Sequence, residues 1–143
     1  PVCVMAQISP MFAIPTATAQ LPDADALNAE LRRLFLEREG QGGKYANPNP
    51  YTVRNAALFE SHFDLFDWPD ACVQQLARFC LGELSQTVAT LSGLDAVAMR
   101  RMQIATDAWF HVTRRGGFFG VHNHPMASWS GVYCVSPGAH DAG

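Results

Sequence analysis

Two histidines separated by one residue are the clearest candidates for chemistry in this chain. His122 and His124 stand in the run His-Asn-His-Pro, at the end of a stretch predicted to be a strand. Side chains two residues apart on a strand point to the same face, so both imidazoles would reach one point. Neutral imidazole binds Fe, Zn, Cu and Ni alike, so the spacing predicts a metal site without naming the metal. Spacing alone supports equally well two surface or core histidines that bind nothing.

The residues around this pair predict successive antiparallel strands. Apolar and polar residues alternate with period two over residues 102–113, and this alternation places Trp109 and His111 on one face as candidate pocket residues. Structural packing is the alternative role for Trp109, and surface exposure is the alternative for His111. Further strands are predicted over residues 118–124 and 129–135, which are separated by turns that contain glycine and proline.

Two amphipathic helices precede the predicted strands. The first covers about residues 26–38, can be capped by Asp23 or Asp25, and places on one face the apolar residues Leu27, Leu31, Leu34 and Phe35. The second follows Asp67, which is placed to cap it, and Gly93 closes it. Its apolar stripe predicts burial against a sheet, with a partner-binding surface as the alternative, and consists of Val73, Leu76, Ala77, Cys80, Leu84, Val88 and Leu91. Helices followed by antiparallel strands indicate the α+β class.

The composition excludes several classes of function. The chain has 143 residues, a formal net charge of -3 and nine arginines that are scattered or paired, so it offers no basic patch for nucleic acid. It contains no run of about 20 apolar residues, so no membrane span is predicted. The cysteines lack the spacing of a metal motif and are predicted to be reduced thiols in the cytoplasm; they are Cys3, Cys72, Cys80 and Cys134.

Four short motifs in the C-terminal third carry a resemblance to a known family. They are WFHV at 109–112, RGG at 115–117, HNHP at 122–125 and SGVY at 130–133. Together they resemble the 2-oxoglutarate- and Fe(II)-dependent oxygenases that have an H-x-H-P…S-G-V-Y-Y signature. The resemblance is specific over residues 109–135 and loose before them. It implies a double-stranded β-helix, or jelly roll, that uses Fe(II), 2-oxoglutarate and O2 to hydroxylate an unknown substrate.

The resemblance also assigns roles to individual residues. It implies that His122 is the first metal ligand and that His124 is the second, at the position where many such enzymes have Asp. It places Ser130, Tyr133 and Cys134 on the cosubstrate side of the site. Cys134 stands where the family commonly has a second tyrosine, and a thiol is a weaker hydrogen-bond donor than a phenol. The distal histidine and the arginine that binds the far carboxylate of 2-oxoglutarate are expected beyond the end of this sequence. His140 is too close in sequence to replace the distal histidine and is predicted to lie in an exposed turn.

These patterns lead to one domain over residues 1–143, mainly helical over 1–93 and with the first barrel strands over 94–143. We expect the N-terminal portion of a jelly-roll oxygenase, with helices packed on an incomplete barrel and no activity on its own. One alternative is a non-catalytic, cupin-like module that binds a metal or another ligand through the same histidines. Another is a structural helix-on-sheet domain in which the histidines have no special role.

Overall fold

The structure is a computed structural model that describes residues 13–138. The first helix, α1, spans Ala24–Gly40 and buries the predicted face, which consists of Leu27, Leu31, Leu34 and Phe35. Asp23 occupies the N-cap position with a left-handed backbone (φ 51°), but its side chain caps no N–H group. The predicted helix is therefore confirmed, and the glycine-rich segment after it forms a short 3₁₀ turn over Gly42–Lys44.

The second helix, α2, spans Ala71–Ser92 and ends at Gly93, whose backbone is left-handed (φ 62°) as predicted. Asp70, rather than the predicted Asp67, stands at its N-cap position. The stripe is fully buried only in the first two turns, and Leu91 near the end is 53% exposed. The predicted burial of this stripe against a sheet is not what the structure shows, since α2 packs mainly against α1 and the 3₁₀ turn Leu65–Asp67.

The sheet has two short antiparallel strands and is open. Strand β1 spans Leu58–Glu60 and β2 spans His111–Thr113, with Glu60 opposite His111 in the register. The sequence patterns assign no strand to the region of β1. Among residues 13–138 the architecture is thus mixed helix and antiparallel strand, which agrees with the predicted α+β class at that level.

The prediction of three longer strands is wrong for the described residues. A short helix, α3, occupies Ala96–Arg101, and the long strand expected over 102–113 is reduced to β2. Residues 118–124 and 129–135 form no ladder, and the first of these segments makes a single bridge, between Phe119 and Arg54. Alternation selects the face that a side chain occupies, but a strand also needs a neighbouring backbone to satisfy its N–H and C=O groups.

The core lies between the two long helices and the residues that flank the sheet. Its buried members are Leu27, Leu31, Leu34, Phe35, Leu65, Trp68, Cys72, Val73, Leu76 and Phe110. Phe110, the residue before β2, stacks on Phe35 of α1 with ring centroids 4.3 Å apart. Because neighbouring side chains in extended backbone alternate, Phe110 in the core directs Trp109 and His111 away from it.

The described cysteines and helices bear on two further expectations. Cys72, Cys80 and Cys134 are free thiols, and burial raises the pKa of Cys72 and of Cys80. Cys3 and His140 lie outside the described residues. None of the helices within residues 13–138 combines the length and apolar character that crossing a membrane requires.

Candidate metal centre

A glycine turn after β2 brings the histidine pair back over the sheet. Gly116 has a left-handed backbone (φ 76°), and a Cβ on Gly117 would lie 2.7 Å from the carbonyl oxygen of Ala57, so neither position readily accepts a side chain. The returning chain is then fixed at Gly120, whose N–H donates to the carbonyl oxygen of Val53. This return places Phe119 and the two histidines beside the residues of β2.

The two imidazoles converge, with ring centroids 5.0 Å apart at an interplanar angle of 75°. His122 Nδ1 lies 2.9 Å from the carbonyl oxygen of Gly120. A carbonyl only accepts hydrogen bonds, so Nδ1 carries the proton and Nε2 presents a lone pair. Backbone carbonyls orient metal-binding histidines in this way, and His122 is thus held in the tautomer that a metal requires.

Three further rings complete a closed circuit around the pair, which we call the histidine–aromatic cluster. Successive centroid distances are 6.4 Å from Trp109 to His111, 5.1 Å from His111 to Phe119 and 5.4 Å from Phe119 to His122. The circuit closes through His124, which lies 5.7 Å from Trp109. The structure therefore brings together the two predicted ligand residues and the two predicted pocket residues.

Phe119 is a member of this cluster that the sequence pattern missed. In a regular strand it would point to the face opposite His122, because the two positions differ by three residues. The backbone of this segment is irregular, and Phe119 reaches both His111 and His122. Nothing in the alternation of apolar and polar residues signals that contact.

A buried carboxylate lies beneath the cluster. Glu60 is 8% exposed; its Oε2 is 3.1 Å from His111 Nε2, and its Oε1 accepts from Asn47 Nδ2 at 2.8 Å and lies 2.7 Å from Arg54 Nη1. Burial by itself raises the pKa of this carboxyl. The hydrogen bonds from Asn47 and His111 and the charge of Arg54 outweigh burial, so the pKa of Glu60 lies below its ordinary value. The register of β1 and β2 places Glu60 opposite His111, and no local sequence signal marks this contact.

His111 Nε2 has a second neighbour, the indole N–H of Trp109, whose Nε1 lies 3.1 Å away. One nitrogen thus faces both a carboxylate and an N–H donor. Trp109 also packs against Phe63, with ring centroids 4.6 Å apart. The indole is half-buried and contacts both His111, which lies beside Glu60, and His124.

The three predicted cosubstrate residues lie outside the histidine–aromatic cluster. Tyr133 packs on the helices, where its hydroxyl donates to Asn28 Oδ1 at 2.8 Å; burial is the main cause of its raised pKa. Cys134 and Ser130 are exposed. Within residues 13–138, none of the three makes a hydrogen bond or ring contact with the histidine–aromatic cluster.

The donor set fits part of a metal centre. His122 and His124 offer two imidazoles with room for further ligands, as in sites that bind a cosubstrate or water. In the part of the chain that the structure describes, no three or more His, Cys, Asp or Glu side chains are grouped so as to hold a metal ion. A complete site built on this pair therefore needs at least one further ligand.

Comparisons with known proteins assign no family to the chain. No protein-family model, curated protein or solved structure matches it. The oxygenase resemblance over residues 109–135 accordingly stays a prediction from the sequence. The geometry of the histidine–aromatic cluster is independent of that resemblance.

Proposed function

We propose that the chain provides the first two metal ligands of a 2-oxoglutarate- and Fe(II)-dependent hydroxylase. The observation that carries the proposal is the convergence of His122 and His124, with rings 5.0 Å apart and His122 Nδ1 bonded to the Gly120 carbonyl. That bond leaves Nε2 of His122 as a metal donor. Fe(II), when bound with 2-oxoglutarate and O2, supplies the oxidation of a C–H bond in the substrate.

The residues of the chain have distinct tasks in this proposal. His122 and His124 bind the metal and leave positions open for the cosubstrate. Trp109 and Phe119 place apolar rings beside the pair. His111 and Glu60 hold the floor of the site, since their contact joins the two strands. The substrate itself is not specified by these residues.

A jelly roll is the architecture that we propose for the strand region. Segments 118–124 and 129–135 form no ladder within residues 13–138, and they would become barrel strands only by pairing with further backbone. Their exposed apolar side chains support this, since Phe118 is 52% exposed and Val121 and Val132 are essentially fully exposed. Apolar side chains of this size are normally buried by a neighbouring layer. We also infer a cytoplasmic location, supported by the free thiols at Cys72, Cys80 and Cys134.

Metal binding by the chain tests the proposal directly. Co(II) is a spectroscopic substitute for Fe(II), and its visible absorption reports coordination by protein ligands. We expect His122→Ala and His124→Ala each to weaken Co(II) binding at least tenfold, since even the loss of a group that only orients a ligand costs about 10–100-fold. His62→Ala is the matched control, because His62 lies outside the cluster and should leave binding unchanged. Equal affinity for all four proteins would exclude a metal site at the pair.

Addition of 2-oxoglutarate separates the oxygenase from its main alternative. A cosubstrate that enters the open positions should alter the Co(II) spectrum and tighten metal binding. Metal binding that 2-oxoglutarate does not affect favours a non-catalytic, cupin-like module instead. Absence of any metal binding favours a structural domain.

A further inference from the structure

His111 Nε2 lies within hydrogen-bond distance of two groups, but it cannot form a hydrogen bond with both at once. It lies 3.1 Å from Glu60 Oε2 and 3.1 Å from Trp109 Nε1. An imidazole nitrogen carries in its ring plane either one hydrogen or one lone pair. If it carries hydrogen, it donates to Glu60 and the Trp109 N–H meets another N–H. If it carries a lone pair, it accepts from Trp109 and faces a carboxylate that has no proton to share.

Of the two alternatives, the hydrogen bond from His111 to the Glu60 carboxylate is the one that forms. Glu60 is buried and its pKa lies below the ordinary value, so it is ionised at neutral pH and can only accept. A hydrogen bond to a charged acceptor is roughly twice as strong as one between neutral groups. A bare Nε2 at 3.1 Å would leave Glu60 Oε2 without a donor from His111 and would oppose two lone pairs. His111 therefore carries hydrogen on Nε2, in its neutral or its charged form.

The indole N–H of Trp109 is then left without an acceptor among the described residues. Trp109 is half-buried, with Phe63 and the exposed His124 beside its ring, so the ring is only partly removed from water. A partly buried donor without a partner destabilises the unliganded protein. A ligand that brings an oxygen to this donor removes that cost, and the ring of Trp109 lies 5.7 Å from that of His124, one of the two proposed metal ligands.

We propose that the indole N–H of Trp109 is a binding donor for a carboxylate oxygen of a ligand held at His122 and His124. A carboxylate fits because it accepts more strongly than a neutral oxygen. The negative charge of Glu60 does not oppose it, because Arg54 lies 2.7 Å from that carboxylate. The location of the ligand rests on the proposed function, whereas the state of His111 and Trp109 does not. The carboxylate can belong to the cosubstrate or to an acidic substrate.

The protonation of His111 tests the premise without any metal. Long-range ¹H–¹⁵N correlation spectra of labelled protein at neutral pH distinguish a protonated from an unprotonated Nε2, and His111→Gln assigns the signals. We expect a protonated Nε2. An unprotonated Nε2 would mean that Trp109 already has its acceptor, and the proposal would be wrong even if the protein binds Co(II).

Titration with carboxylates tests the conclusion. The probes are 2-oxoglutarate, succinate and acetate, each added to Zn(II)-loaded and to metal-free protein. We expect the Trp109 indole proton, assigned with Trp109→Phe, to move downfield. The indole proton of Trp68 should stay in place, because that group already donates to Asp64 Oδ1 at 3.1 Å. A response to 2-oxoglutarate alone identifies the cosubstrate, and a response to all three identifies a general carboxylate site.

The affinity of the responding carboxylate gives the size of the effect. Trp109→Phe keeps an aromatic ring against Phe63 and His124 but removes the donor, and it should weaken binding about tenfold. Trp129→Phe is the matched control and should leave affinity unchanged. No shift of the Trp109 proton in either form of the protein would refute the proposal. Failure of Zn(II) to bind would instead refute the metal site, while the metal-free titration would still decide the role of Trp109.

Discussion

The helical region and the strand region of this molecule differ in how they use apolar side chains. Leu31 in α1 and Val73 in α2 are 0% exposed, whereas Val121 is 108% and Val132 98% exposed in the segments that follow β2. A helix satisfies its backbone within itself, so two amphipathic helices need only each other and one sheet edge to form a core. A strand must find a neighbouring backbone as well as a covering layer. Among the described residues, only β1 and β2 have both a neighbouring strand and a covering layer.

Truncation of the two kinds of apolar residue should give the largest contrast. Leu31→Ala removes atoms from a fully buried position and should lower the free energy of unfolding by about 2–5 kcal/mol. Val132→Ala removes atoms that already contact solvent and should change it by less than about 0.5 kcal/mol. Urea denaturation followed by circular dichroism measures both. A large loss from Val132→Ala would show that the strand region is packed in solution, and the contrast would fail.

Local signals explain why the helices could be predicted from the sequence and the sheet could not. The 3.6-residue period places Leu27 and Leu31 on one face, and Gly93 permits the left-handed backbone that ends α2. The position of β1 depends instead on pairing with residues about 50 positions later in the chain. Alternation over 102–113 marked side-chain faces correctly enough to group Trp109 with His111. It also overestimated the length of the strand, because alternation does not report whether a partner strand is present.

The residues of the candidate site also fall into two groups: those that local sequence signals identify and those that only the fold brings in. Spacing and parity identify His122, His124, Trp109 and His111, and all four lie in the histidine–aromatic cluster. Glu60 was missed because only the strand register places it under His111. The metal-binding role of the pair is still a prediction.

The buried carboxylate provides the next contrast, between a polar group in the sheet and one on a helix surface. Glu60→Gln keeps the shape but removes the charge that Arg54 and His111 face, and should lower the free energy of unfolding by about 1–3 kcal/mol. Glu37→Gln is the control, since the Arg33–Glu37 pair is exposed and 3.3 Å apart, and should change stability by less than about 0.5 kcal/mol. Similar effects of the two changes would remove the buried network as a stabilising feature.

The same carboxylate gives a pH dependence whose sign can be stated. The pKa of Glu60 is lower in the folded protein than in the unfolded chain, so the unfolded state binds the proton first as pH falls. The stabilisation is complete above the unfolded pKa, about 4.3, and is lost as pH falls through the folded pKa. Wild-type protein should therefore lose more stability than Glu60→Gln as pH falls from neutrality through the unfolded pKa of about 4.3 and below it. Parallel pH profiles in urea denaturation would contradict the assigned direction.

The smallest predicted effects compare two glycines of one helix and ask what stabilises the exposed half of α2. Packing contributes little there, so backbone preference should dominate. A Cβ at Gly82 would meet nothing within 4 Å, and Gly82→Ala should stabilise the protein by about 0.5–1 kcal/mol, because alanine loses less conformational freedom in a helix. A Cβ at Gly93 also meets nothing, but its φ of 62° is left-handed, so Gly93→Ala should destabilise by about 1 kcal/mol. Thermal unfolding measures both, and equal signs would mean that tertiary contacts, rather than backbone conformation, govern this end of α2.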